Sequence, residues 1–285
     1  MQGQGVAVTN QLHENEQVEE RAGYFAVSGA HLYTVLHEVA EPLARVLLVG
    51  PFASERHNSY LPWVRWARFL AAANIEVLRY DYRGVGESTG AFEAMTLADW
   101  GEDVTLLSAW LKERGPHVPL VLHGLGLGAV LAGRAFDAGV GDGLLLWAAP
   151  ANANQALRQT LMRWVGLEQI FKFGDDRRSA SDYIRKLEQG SPLEVDGYTW
   201  SVRLWQESFR FALPAMLASE ESAAQAYARP VRMVRLTREA APLAKGGLVG
   251  FDDLKDFGWL YGPNREWILA AASMGPMSRE GIDHA

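Results

Sequence analysis

Cysteine is absent from all 285 residues, which removes disulfides, thiolate metal sites and a cysteine nucleophile together. Histidine is scarce, and of the seven only His284 lies beyond His123. Excess positive charge is missing as well. A net charge of −7 and an isoelectric point near 5.6 leave no basic footprint for nucleic acid or an anionic membrane surface. No apolar run approaches the length of a membrane span. The stretch Met1 to Gln17 is polar and acidic, without the basic-then-apolar order of a secretory signal. The expectation is a cytoplasmic globular protein with neither a nucleic-acid partner nor a membrane span. Zinc-ligand spacing and a Gly-x-x-x-x-Gly-Lys-Ser/Thr phosphate cradle are also absent, so neither a metal nor a cofactor is expected.

What is present suffices for one large core: 48% of residues are apolar and 21% charged. The segments Tyr24–Val27 and His31–Leu36 alternate around Ser28-Gly29 like an antiparallel pair. Arg45–Val49, Ile75–Tyr80, Pro119–His123 and Gly143–Ala148 are apolar runs of the kind buried on both faces of a parallel sheet. Helical spacing separates them, with Trp63, Trp66, Phe69 and Leu70 in one helix and a long amphipathic helix from Leu97 to Arg114, stopped by Gly115-Pro116. Strands alternating with helices imply a mostly parallel central sheet flanked by helices. From Ala151 the rhythm changes to several helices without a comparable buried strand. Pro230–Leu236 resumes the sheet, a weaker strand is expected near Leu248–Leu254, and a final helix over Asn264–Ala272. We therefore expect a core of residues 1–150 and 229–285 interrupted by a helical cap of residues 151–228. The aromatic stock, 10 Trp, 9 Tyr and 11 Phe, serves core and cap packing, or an apolar pocket or partner surface.

The turn Gly124-Leu125-Gly126-Leu127-Gly128 follows the Pro119–His123 strand and opens a small-residue helix. That is the frame of a nucleophile elbow, whose middle position ordinarily presents Ser, Cys or Asp. Here it is Gly126, which can neither attack a carbonyl nor be activated by a base. With Gly50-Pro51-Phe52-Ala53 after the third strand and Asp81-Tyr82-Arg83-Gly84-Val85-Gly86-Glu87-Ser88 after the fourth, the chain from Tyr24 to Trp267 resembles the α/β-hydrolases. Within that family it resembles in particular the serine-aminopeptidase-like hydrolases and the small hydrolases associated with exosortase systems.

The resemblance implies Ser, then an acid, then His in chain order. Gly126 holds the Ser position. Glu239 stands near the acid position, as a substitute or as a surface glutamate, and Asn152 and Asn154 occupy the alternative one. The loop that should carry the histidine reads Lys255-Asp256-Phe257-Gly258-Trp259-Leu260. The oxyanion hole implied by the family would use the backbone N–H groups of Leu127 and Phe52, which side-chain substitution does not remove. The leading expectation is a hydrolase homologue without triad catalysis that binds a small acyl, ester or carboxylate ligand, or a protein partner. A competing one is a hydrolase or acyl-transfer enzyme built on the loop Ser54-Glu55-Arg56-His57-Asn58-Ser59. There Ser54 or Ser59 with His57 could form a nucleophile–base pair, or Glu55 could act as base, beside Asp81 and Arg83 as ligand contacts. A third is an assembly role, as a homo-oligomer or with an active paralogue, through Trp200, Trp205, Phe209 and Phe211.

Overall fold

The computed structural model describes residues 19–171, 178–236 and 258–274. A hairpin of β1 (Glu19–Val27) and β2 (Ala30–Glu38) turns at Gly29, whose φ of +73° glycine adopts freely. β3 (Ala44–Val49), β4 (Ile75–Tyr80), β5 (Leu120–Leu125), β6 (Gly143–Trp147) and β9 (Val231–Val234) run parallel. The seven-stranded sheet has the order β1-β2-β4-β3-β5-β6-β9, with the hairpin joined antiparallel to β4. Every residue of β3 and β6 is buried, because helices cover both faces.

On one face lie α2 (Leu97–Glu113) and α3 (Leu127–Asp137); on the other, α1 (Glu55–Ala71) and α8 (Gly258–Ser273). α2 begins with a capping box between Thr96 and Asp99 and buries Leu97, Trp100, Val104, Leu107 and Leu111 along one stripe. α1 starts four residues earlier than the apolar periodicity suggests. Residues 55–59 are thus its first turns and not a loop, a correction to the expectation for that segment. The physical reason is local: the Ser59 hydroxyl donates to the Glu55 carbonyl, and Arg56 stacks on Tyr60 one turn on.

Between β6 and β9 come α4 (Ala153–Phe171), α5 (Ala180–Glu188), the hairpin β7 (Leu193–Val195) and β8 (Tyr198–Trp200), α6 (Val202–Ser208) and α7 (Glu220–Ala226). The hairpin corrects the expectation that this stretch holds no buried strand: Leu193, Val195 and Trp200 are all buried. Its turn, Asp196-Gly197, carries φ of +50° and +80°, the primed geometry that Asp-Gly favours. Trp200 and Trp205 are 1% exposed and join the same core as α2 and α3. They are packing residues and not partner surface, whereas Phe209 is half exposed. The final helix begins at Gly258, six residues before the expected start. Glu239, His284, the arm up to Gln17 and the strand expected near Leu248–Leu254 lie outside the described residues. Among the described residues no helix is long and apolar enough to cross a membrane.

Candidate functional site

The carboxyl ends of the parallel strands share one edge of the sheet, where an open α/β sheet holds its ligands. β5 ends there and turns through Gly126 into α3. Gly126 has φ +58° and ψ −124°, a conformation that strains a side-chain-bearing residue by about 1–3 kcal/mol. Its N–H donates to the Trp147 carbonyl at 3.1 Å, and its own carbonyl accepts from the Ala129 N–H at 3.0 Å. The sharp turn is therefore kept although its residue presents no reactive atom.

Space for a side chain is kept too. A Cβ on Gly126 would meet only ordinary contacts, Glu55 Oε2 at 3.6 Å and Pro51 Cβ at 3.8 Å. The nearest functional group to the vacant position is thus the Glu55 carboxyl. Glu55 is the first residue of α1, and its Oε1 accepts from the Thr160 hydroxyl at 2.9 Å. Thr160 and Arg163 descend from α4 onto this point. The Arg163 guanidinium donates to Ser54 Oγ at 3.1 Å and reaches Asp196 Oδ2 at 3.5 Å. Its Nε is buried without a partner. Burial lifts the Glu55 carboxyl above its ordinary range, while the Thr160 hydrogen bond and the Arg163 charge pull it back down.

The other expected residues are distributed unevenly around this centre. Phe52 packs edge-on against Trp100 and Trp200, and its carbonyl accepts from the Glu55 N–H at 2.8 Å. Among the described residues the N–H groups of Phe52 and Leu127 donate no hydrogen bond, and both flank the turn. Ser54 is buried and held by Arg163, whereas His57 is exposed on α1 beside Tyr33, Tyr60 and Glu87. Their one hydrogen bond is between backbones, the His57 N–H donating to the Ser54 carbonyl at 3.2 Å, so the expected Ser54–His57 side-chain pair is not assembled; burial against α4 takes the Ser54 hydroxyl away from the solvent-facing imidazole. The Ser59 hydroxyl is spent on the α1 backbone.

Asp81 holds Arg56 through two 2.8 Å hydrogen bonds and accepts the Glu87 N–H. Arg83 is directed at α2, donating to Asp103 at 2.6 Å and to Glu102 at 2.7 Å, so it braces β4 against α2 and is not brought to Gly126. His123 lies under the turn and is fully buried. Its Nδ1 pairs with the Leu145 carbonyl at 3.0 Å, and its ring packs against Trp147, Trp63 and Trp66. Among the described residues no three His, Asp or Glu side chains converge as metal ligands.

Thr160 and Arg163 escaped the reading of the sequence. Their signal was faint: two polar residues three apart on an otherwise apolar helix face that also carries Ala156, Leu157 and Leu161.

The serine aminopeptidase family (S33) matches residues 40–173. No curated protein matches the chain in sequence. The feruloyl-ligand complex of Est1E from Butyrivibrio proteoclasticus, solved with ferulic acid bound, superposes with a TM-score of 0.56 at 16% identity, over 88% of this chain and 100% of that one. The α/β-hydrolase GrgF from Penicillium sp. sh18 gives 0.54 at 17% identity, over 90% and 99%. A lidless serine hydrolase from Xanthomonas campestris is 25% identical over 47% of this chain and 63% of its own, with a TM-score of 0.41, so the chain spans less than two thirds of that neighbour. The strand order, the sharp turn after β5 and the superpositions on Est1E and GrgF converge on one conclusion: the chain has the α/β-hydrolase fold, with residues 40–173 similar to the serine aminopeptidase family.

Proposed function

We propose that this protein is a non-catalytic hydrolase homologue that binds a small acyl, ester or carboxylate compound over Gly126, in the cytoplasm, under a cap formed by residues 151–228. The observation that carries this reading is the combination at Gly126 itself. The strained turn and its side-chain space persist, but no atom there can form an acyl-enzyme. The free N–H groups of Phe52 and Leu127 supply donors for a carbonyl or carboxylate oxygen, aided by the partial positive charge at the start of α3. A fold neighbour bound to ferulic acid, a carboxylic acid, supports the ligand class.

Purified protein is expected to take up no fluorophosphonate, as judged by intact mass. It is also expected to hydrolyse p-nitrophenyl acetate and butyrate at the buffer rate. An adduct, or turnover lost when site residues are changed, would overturn the reading. Gly126→Ser is expected to remain inactive, since no imidazole stands beside the new hydroxyl among the described residues and burial holds the neighbouring Glu55 carboxyl toward its neutral form, which makes it a poor base. The turn already has its required geometry, so this variant is expected to lose about 1–3 kcal/mol of stability from backbone strain alone.

One observation favours the competing enzymatic reading, in which residues 54–59 supply the chemistry. Glu55 Oε2 stands 3.6 Å from the vacant Cβ position, where it could take a proton from water directly. That reading requires ester turnover without a covalent adduct, abolished by Glu55→Gln. The same assay separates the two.

A further inference from the structure

Around the vacant position the structure gathers groups that mostly give hydrogen bonds. The Leu127 and Phe52 N–H groups donate to nothing among the described residues. Arg163 carries a full positive charge, yet its contacts are the neutral Ser54 hydroxyl and a single carboxylate oxygen at 3.5 Å, and its buried Nε has no partner. Thr160 donates to Glu55 Oε1, which leaves Oε2 as the atom facing Gly126.

Glu55 and Arg163 are near enough to feel one another electrostatically, but no direct ion pair closes the space between them. Neither group satisfies the other, and Glu55 Oε2 lies beside the empty side-chain position, so each remains able to pair with a third group.

Resting on the binding reading above, we propose that the ligand over Gly126 is a carboxylate. One of its oxygens shares the proton of a neutral Glu55, and the other accepts from Arg163. An amine would meet donors on most sides. A neutral ester or amide would offer the unpartnered Arg163 Nε only a neutral acceptor, whereas a carboxylate oxygen makes the stronger, charge-assisted hydrogen bond.

Burial favours the protonated form of Glu55, so the carboxyl can serve as the donor that a ligand anion needs. The charged groups that face it are few. Arg163 comes from α4 and Asp196 from the β7–β8 turn. On α1 itself, Arg56 is neutralised by Asp81, with Tyr198 of β8 alongside. The β5–α3 turn contributes none. Binding a carboxylate therefore requires Glu55 to keep or take up one proton, and affinity must fall as rising pH removes it.

The test is titration calorimetry of the full chain with hexanoate and, in parallel, the uncharged hexanamide, between about pH 5.5 and about pH 8, where hexanoate stays ionised. The expected result is binding of hexanoate in preference to hexanamide, weakening toward tenfold per pH unit once Glu55 ionises. Glu55→Gln, a fixed neutral mimic of the protonated acid, is expected to bind with no such pH dependence. Arg163→Gln is expected to weaken hexanoate about tenfold to hundredfold while leaving hexanamide unchanged. Arg163→Lys, which keeps the charge, is expected to retain part of the preference, and thermal melts of each variant check its folding.

Equal or tighter binding of hexanamide, a wild-type affinity flat in pH, or a Glu55→Gln variant as pH-dependent as the wild type would overturn the carboxylate inference and leave the binding reading standing. Binding of neither compound at any pH would overturn both.

Discussion

Replacing Gly128 by alanine is expected to cost more stability than any other single methyl added to this chain, at least about 3–5 kcal/mol, and to yield little folded protein. A Cβ at that position would sit 2.1 Å from the Val49 carbonyl oxygen and 2.3 Å from that of Gly50. Both are backbone atoms at the end of β3, so no rotamer change relieves the clash; either β3 or α3 must move. Overpacked cores that can relax ordinarily lose about 1–3 kcal/mol, and this site lacks that freedom. Gly124 behaves similarly, its added Cβ falling 2.4 Å from the Ala129 Cα.

Two controls give the series its meaning. Gly166→Ala in α4 meets nothing within 4 Å and is expected to be neutral or to stabilise by up to about 1 kcal/mol through helix propensity. Gly126→Ala has room but carries the strain of φ +58°, and is expected to lie between, at about 1–3 kcal/mol. Urea denaturation of the set gives the ranking. If Gly128→Ala unfolds at the same midpoint as Gly166→Ala, the close approach of α3 to β3 is not what holds this turn in place.

That ranking bears on why the turn keeps its shape with glycine at its middle position. Gly124 and Gly128 are demanded by the contact of α3 with β5 and β3, whatever the middle residue does. The middle position has room for a side chain and is glycine without steric need, whereas the flanking two cannot be changed without loss of the sheet-to-helix packing. The geometry at Gly126 is inherited from its neighbours.

The same distinction decides what could be read from the sequence. Strands β3 to β6 were legible because burial on both faces writes a continuous apolar run. The turn at Gly126 was legible because close backbone approach can be met only by glycine at fixed spacing. The start of α1 was not, since Glu55 to Ser59 are polar and precede the apolar stripe; what buries Glu55 is α4, more than a hundred residues away in the chain. The hairpin of β7 and β8 was missed because three-residue strands are too short to display alternation, although Asp196-Gly197 carried the turn signal. The candidate site inherits that limit. Its turn could be seen from local spacing, whereas Thr160 and Arg163 reach it only through the way α4 folds back across the carboxyl ends of the strands.

Acidification is expected to destabilise the fold well before the surface carboxylates titrate, with His123 the largest single cause. Complete burial among Trp63, Trp66 and Trp147 pushes its imidazole down to about 3, against an ordinary 6.5, and the hydrogen bond to the Leu145 carbonyl only partly offsets this. Above pH 6.5 the ring is neutral in both folded and unfolded chains. Below it, the unfolded chain takes up a proton that the native one refuses until about pH 3, so stability is lost as pH falls through that window. At about 1.4 kcal/mol per pH unit, the loss near pH 4.5 is about 2–3 kcal/mol from this residue alone. His37 acts with the same sign: burial lowers it to about 4, with Glu20 pulling it up and Arg79 and Arg68 down. Asp103 opposes both, since burial raises its carboxyl to about 6 despite Arg83, and its contribution grows as pH falls through that value. The total pH profile therefore mixes signs, and the difference between two proteins isolates one residue. His123→Gln keeps a hydrogen-bond donor but cannot titrate, and the indole wall around it is unchanged. Its thermal midpoint at pH 7.5 is expected to fall modestly, and its further decline toward pH 4.5 to be shallower than that of the wild type by the 2–3 kcal/mol above. Parallel declines in the two proteins would mean that the buried imidazole takes its proton freely in the native state, and that the aromatic packing beneath the turn is far more open to water than its full burial implies.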